Sequence, residues 1–183
     1  IESSKQIGSS IGWGSLFDRI GILERAGSTW EDSNTFDHYL LKVITQRRVQ
    51  FEDSYDLKRT IESGQAFHWF PSGESSWETA WRGFYVGVKQ VSSSEIVFET
   101  NSTETDALSQ VADYFQCHID VSSILHTFPK DSLTEKALDR CLGLRLLRQD
   151  PWLCLASFIL SSTKQITQIK EIVRLMSFQL GAP

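Results

Sequence analysis

Between residues 152 and 160 the chain is apolar at every position except Ser157. A helix with that pattern has no solvent face and is expected to be buried. Asp150 precedes the run as an N-cap, and Pro151 takes the first helical position, where a missing N–H costs nothing. The run is too short to span a bilayer. Ser161, Ser162 and Thr163 interrupt it and offer caps to a second helix. In that helix Ile166, Ile169, Ile172, Val173 and Met176 recur at three- and four-residue steps and form one apolar stripe. The stripe fades over 178–180, and Gly181 is a C′ stop. The expected product is a buried helix, a polar turn and an amphipathic helix with an exposed N-terminus, where unpaired N–H groups suit a phosphate. A plain helical hairpin in an α-rich core carries the same pattern.

The period changes upstream. Residues 1–34 are rich in Ser and Gly, with a short amphipathic piece around Leu16, Phe17, Ile20 and Leu23. Residues 36–48 read as helical, with Leu40, Leu41 and Ile44 on one side. Residues 55–61 form a short helix closed by Ser63-Gly64. Residues 66–70, 79–91 and 95–100, rich in aromatic and β-branched side chains, read as three strands. Pro-Ser-Gly-Glu and Ser-Ser-Ser turns separate them. Residues 105–115 form an amphipathic helix with Leu108, Val111 and Ala112 inward and Tyr114 or Phe115 at the edge. Residues 121–147 continue as helices. Asp131 starts one of them, with Ala137, Leu138, Cys141 and Leu142 on its buried side. The fold class is therefore α+β: a curved antiparallel sheet backed by helices, followed by the beginning of an all-α domain. We expect an extension over 1–48, the sheet domain over 49–120, and the first helices of a helical domain over 121–183.

Composition adds the scale. The 183 residues are 40% apolar and include six Trp, which gives a globular chain with a core. A first residue other than Met, and an end just after a helix, lead us to expect a fragment. The net charge of −5 is unevenly spread. Residues 134–183 hold seven basic and four acidic residues, and residues 1–133 hold eleven and nineteen. The helical part is thus the portion that would face a polyanion. Cys117, Cys141 and Cys154 lack C-x-x-C spacing, and Cys154 reads as a small buried hydrophobe. We therefore expect no disulfides and an intracellular location. His38, His68, His118 and His126 form no ligand pattern, so no metal is expected. Asp53 and Asp56 read as surface residues flanking the sheet. There is no signal peptide or membrane span.

Two stretches carry a family resemblance. Leu144-Arg145-Leu146-Leu147-Arg148-Gln149-Asp150-Pro151, followed by the apolar helix and Ser161-Ser162, resembles the 8-oxoguanine DNA glycosylases. So does Ser63-Gly64-Gln65-Ala66-Phe67-His68-Trp69, which matches their SGQ-x-F-x-W stretch, and Trp81-Arg82-Gly83 fits their W-x-G. The resemblance covers roughly residues 49–180. It implies a sheet domain of TBP-like shape and an enzyme that flips an oxidised purine out of duplex DNA and excises it, with lyase activity.

The resemblance also implies site residues. In the family the carbonyl of the glycine in SGQ accepts a hydrogen bond from the N7–H that only the oxidised purine carries. Gly64 occupies that position, where glycine also admits close approach and serves as a helix cap. The Asn triplet that fills the vacated space in eukaryotic enzymes is matched here by Thr163, Lys164 and Gln165. The arginine that contacts the orphaned cytosine is matched by Gln168. The departures bear on the choice of opposite base and point to a bacterial- or archaeal-like variant, with Lys164 suited to phosphate and Gln165 to a base edge. The family's nucleophilic lysine and later aspartate are expected beyond Pro183, so no catalytic residue is assigned in this chain. No cofactor is implied. The expected partner is double-stranded DNA with an oxidised purine, bound by a monomer. Two alternatives are an alkylated-purine (3-methyladenine) glycosylase of the same helix-hairpin-helix superfamily and a non-catalytic TBP-like module that binds DNA or protein.

Overall fold

The computed structural model describes residues 44–180. Five strands form one sheet: β1 (Thr45–Gln50), β2 (Phe70–Gly73), β3 (Ser76–Trp81), β4 (Phe84–Ser92) and β5 (Glu95–Thr100). Their order across the sheet is β1-β5-β4-β3-β2, every neighbouring pair antiparallel. Strands β2 to β5 thus form a meander, and β1 returns to close its far edge. Register places Trp77 opposite Val88, and Val88 opposite Phe98. With Val86 and Ile96 these side chains make one buried face. Helix α1 (Leu57–Glu62) and helix α2 (Ala107–Tyr114) supply Leu57, Ile61, Val111 and Ala112 to the same cluster. Burying each of the larger aliphatic side chains, Leu57, Ile61 and Val111 among them, contributes about 1.5–3 kcal/mol.

An aromatic group fills the middle of this core. Phe115 lies 5.3 Å from Trp69 and 5.2 Å from Phe98, centroid to centroid. Trp69 Nε1 donates to the Tyr114 hydroxyl at 3.0 Å, which satisfies the one polar atom the indole must bury. Tyr55, fully buried, donates to the Phe115 carbonyl at 3.2 Å.

The remaining helices are α3 (Val121–Leu125), α4 (Ser132–Arg140), α5 (Pro151–Ser161) and α6 (Ile166–Leu180). Asp120, Asp131 and Asp150 cap α3, α4 and α5 through their side chains, as short helices with few other anchors require. Between α4 and α5 the chain runs without regular structure, and Leu147 within it joins the sheet's core. Gly143 fixes where this segment meets the sheet domain. Its φ is +79°, and a β-carbon there would come within 2.7 Å of the Asp56 backbone nitrogen. That nitrogen donates to the Gly143 carbonyl at 2.7 Å. Only glycine allows this approach.

Several expectations need correction. Residues 45–48, read as the end of a helix, lie in β1, because the sheet offers an edge at β5 and Thr45 and Val49 suit it. The rest of that expected helix, the amphipathic piece around Leu16 and the Gly181 stop lie outside the described residues. The stretch 66–69 is not a strand. Ala66 and Trp69 enter the main core while Phe67 points into a second cluster with Ile169 and Val173, so the chain crosses between two cores instead of alternating across one sheet. The long strand expected over 79–91 is two strands, β3 and β4, joined by a two-residue turn at Arg82 (φ 51°) and Gly83 (φ 83°). Tyr114 and Phe115 lie in the core and not at its edge.

The helical part departs further. Helix α5 is exposed over much of its surface: Trp152 is 70% and Phe158 73% accessible, and Ser157 is its buried residue. An all-round apolar helix needs partners on every side, and the described residues supply them on one. Cys154 is likewise exposed. On α4 and just beyond it, Ala137, Cys141 and Leu142 are exposed, with Leu138 partly buried, because this side borders an open groove of about 290 Å³ lined by Ile124 and Phe128. All three cysteines are free.

Candidate functional site

Helix α1 begins at Asp56, whose carboxylate accepts the Arg59 N–H at 2.8 Å, and ends at Ser63. Gly64 then turns the chain with φ +89°, the left-handed conformation that lets a helix stop sharply. Its carbonyl accepts no hydrogen bond from the described residues. A β-carbon at Gly64 would lie 3.7 Å from Ile166 Cδ1, so the turn sits directly against the first residue of α6. Phe67, three residues on, is buried with Ile169 and Val173 one and two turns further along the same helix. The apolar stripe of α6 is therefore what brings its N-terminus beside Gly64.

Thr163, Lys164, Gln165 and Gln168 are all exposed at that N-terminus. The helix start is partly capped from within: Gln168 Oε1 accepts the Gln165 N–H at 3.1 Å. Gly64 and the 163–168 turn, which comprises the inter-helix turn and the first residues of α6 and lies about a hundred residues away in sequence, thus share one surface. Lys164 provides a cation there, and Arg148 is a second exposed cation on the segment leading into α5.

The floor beneath this surface is a hydrogen-bonded strap that sequence reasoning missed. The Gln65 side chain donates from Nε2 to the carbonyls of Thr60 and Arg145, both at 2.9 Å, and accepts the Leu147 N–H at 2.8 Å. Gln149 Nε2 donates in return to the Gln65 carbonyl. Thr60 Oγ1 accepts the Arg145 N–H at 3.1 Å. The Arg145 side chain is 4% exposed, and its Nη2 donates to Asp53 at 2.6 Å and to the Ser54 carbonyl at 3.1 Å. Its guanidinium also lies 5.4 Å from the Tyr55 ring centroid. Asp53 is therefore the counter-ion of a buried arginine, a correction to its reading as a flanking surface residue. The signal was present in part: both glutamines stand inside the two motif stretches, though no local pattern pairs them.

Apart from the paired Arg145, burial favours the neutral form of His68, Cys117 and the core tyrosines. His68 Nδ1 is buried without a partner, and burial pulls the ring's pKa down to about 4. Burial pushes the Cys117 thiol up to about 12, which leaves it unreactive near neutrality. The tyrosines Tyr55 and Tyr114 are raised by the same cause. Among the described residues no group of three or more His, Cys, Asp or Glu could hold a metal, and no helix is long and apolar enough to cross a membrane.

Comparison with known proteins gives this geometry a setting. The family described as 8-oxoguanine DNA glycosylase, N-terminal domain, matches residues 48–155. An N-glycosylase/DNA lyase OGG1 from Arabidopsis thaliana is 27% identical over 125 residues, which are 66% of this chain and 34% of that protein. The structure of MBOgg1 in complex with a low-affinity DNA ligand is 32% identical and superposes with a TM-score of 0.67, covering 76% of this chain and 47% of that one. The Clostridium acetobutylicum 8-oxoguanine glycosylase/lyase in its apo form is 27% identical with a TM-score of 0.59, covering 70% and 46%. The chain thus spans between a third and a half of the length of these relatives. The match to more than half of its residues, the five-stranded antiparallel sheet and the helices that follow lead to one conclusion: this chain belongs to the 8-oxoguanine DNA glycosylase family, through that family's N-terminal domain.

Proposed function

We propose that the chain serves base-excision repair as the lesion-recognising part of an 8-oxoguanine DNA N-glycosylase/lyase. Its partner in this reading is double-stranded DNA carrying an oxidised purine, engaged by a monomer inside the cell. Its sheet domain opens with β1 at Thr45, four residues before the expected boundary at 49, and runs to about residue 120. The helices from residue 121 onward open its helical domain. The observation that carries the reading is the contact of Gly64 with Ile166. It sets a backbone carbonyl that accepts no hydrogen bond from the described residues beside an exposed turn that bears Lys164 and Gln165.

The chemistry follows from that surface. An oxidised purine presents an N–H at N7 where guanine has a bare acceptor, so a fixed carbonyl attracts one and repels the other. A buried hydrogen bond made or left unmade separates the two by about 1–3 kcal/mol. Lys164 takes a phosphate, and Gln165 and Gln168 face the space the flipped base leaves. DNA complexes of two relatives, one with cytosine opposite 8-oxoG, support a duplex partner, and the family match favours an oxidised over an alkylated purine.

In this reading the chain recognises but does not supply the nucleophile. A Schiff-base lysine needs burial or a neighbouring cation to become reactive at neutral pH, whereas Lys164 is exposed. Borohydride treatment of the 183-residue chain with an 8-oxoguanine duplex is expected to trap no covalent adduct. A trapped adduct would place a nucleophile within these residues and overturn the division of labour.

A further inference from the structure

Gln65 stands out because its side-chain amide is saturated by backbone groups from two separate parts of the chain. Both Nε2 hydrogens are used, one on Thr60 and one on Arg145, and Oε1 takes the Leu147 N–H. Its main-chain carbonyl takes Gln149 Nε2. Gln65 is thus held at its side chain and its backbone by the segment 145–149. That segment ends at Asp150, which caps α5 through the Trp152 and Leu153 N–H groups.

The consequence for the neighbouring residue is geometric. The Gly64 carbonyl belongs to the peptide unit that Gly64 shares with Gln65. Glycine alone leaves that plane free to rotate, since its φ and ψ meet little steric resistance. Anchoring the next residue at its side chain and its carbonyl restricts that freedom. The same strap roots the α5–α6 pair, so it fixes the carbonyl relative to Ile166 and the 163–168 turn. A packing residue would fill volume; Gln65 instead spends every polar atom of its side chain on backbone groups.

We infer that Gln65 and Gln149 are positioning residues that set the Gly64 carbonyl against the 163–168 turn and so determine discrimination between 8-oxoguanine and guanine. The inference rests on the reading of Gly64 given under Proposed function. Gln149 is the cleaner of the two to test, being half-buried and making one of the strap's bonds. Gln149→Met keeps the length and removes the donor. Gln65→Met removes three bonds at once and serves as the severe variant.

The test measures binding of the full-length protein to two duplexes of one sequence, with 8-oxoguanine or guanine opposite cytosine, by competition. Gln149→Met is expected to lower the ratio of the two affinities about tenfold, the effect of one lost hydrogen bond, while affinity for the guanine duplex stays within about twofold. Gln65→Met, if folded by circular dichroism, is expected to lower the ratio at least as much. A wild-type ratio well above one, with the same ratio in folded Gln149→Met, overturns the inference and leaves the reading of Gly64 standing. A wild-type ratio near one overturns both. A fall in melting temperature with the ratio unchanged assigns the strap to stability alone and also overturns the inference.

Discussion

At the scale of single residues, the buried polar groups decide how the protein responds to its surroundings. His68 shows this most clearly. Its ring lies 5.8 Å from Trp69 and 6.0 Å from Tyr114, its Nδ1 has no partner, and burial lowers its pKa from 6.5 to about 4. The neutral ring is the folded form, so the unfolded chain takes up a proton first as pH falls. Stability from this residue is complete above pH 6.5, declines as pH drops towards 4, and is flat below. The shift corresponds to about 3 kcal/mol at most. Denaturant melts between pH 7 and pH 4 should therefore show less pH dependence in His68→Phe than in the wild type, and parallel curves would refute the assignment. Residue-level detail was unevenly legible in the sequence. Gly64 could be read as a helix stop because Ser63-Gly64 follows a helical pattern directly. Asp53 could not be read as a counter-ion, because its partner Arg145 stands 92 positions away and no local spacing reports it.

Elements were legible where their signals are local. Asp150 and Pro151 announced the start of α5, and the apolar stripe of α6 announced its buried side at Ile169 and Val173, with Ile172 and Met176 partly buried and Ile166 exposed. Strand β1 was missed because its ladder partner is β5, some fifty residues on, and its own sequence does not exclude a helix. The β3–β4 hairpin was missed because only Arg82 and Gly83 interrupt a continuous run of strand formers. The burial of α5 was misjudged for a different reason: composition states what a helix needs to have covered, not what covers it. The element with most consequence for binding is the start of α6, where the exposed Lys164 meets phosphate in the proposed function. Lys164→Ala should weaken binding to damaged and undamaged duplex alike, and lower the slope of log affinity against log salt by about 1. An unchanged slope would remove Lys164 from the interface.

At the scale of the whole molecule, the sheet domain and the helices that follow are joined through polar groups as well as through the core. Leu147 enters the main cluster, Arg145 pairs with Asp53, Gly143 packs on Asp56, and Gln65 clasps the segment between them. Removing either end of the Arg145–Asp53 pair would leave a charge held inside the joint, which is costlier than never having placed one there. The two motif stretches, some eighty residues apart, thus become one structure, and their shared surface is where Gly64 and the 163–168 turn meet. The α+β class and the order of its parts were visible in the sequence. The clasp was not, since each glutamine is unremarkable until the other is beside it.

The central claim is that the Gly64 backbone reads the lesion, and Gly64→Ala tests it most directly. A β-carbon would meet only Ile166, at an ordinary contact distance, so the cost is the left-handed φ of +89°, about 1–2 kcal/mol. The variant should fold and melt slightly lower. Its ratio of affinity for 8-oxoguanine over guanine duplex should fall about tenfold or more, because the carbonyl shifts as the turn relaxes. A folded Gly64→Ala protein that discriminates as well as the wild type would contradict the account and leave Gly64 a helix stop.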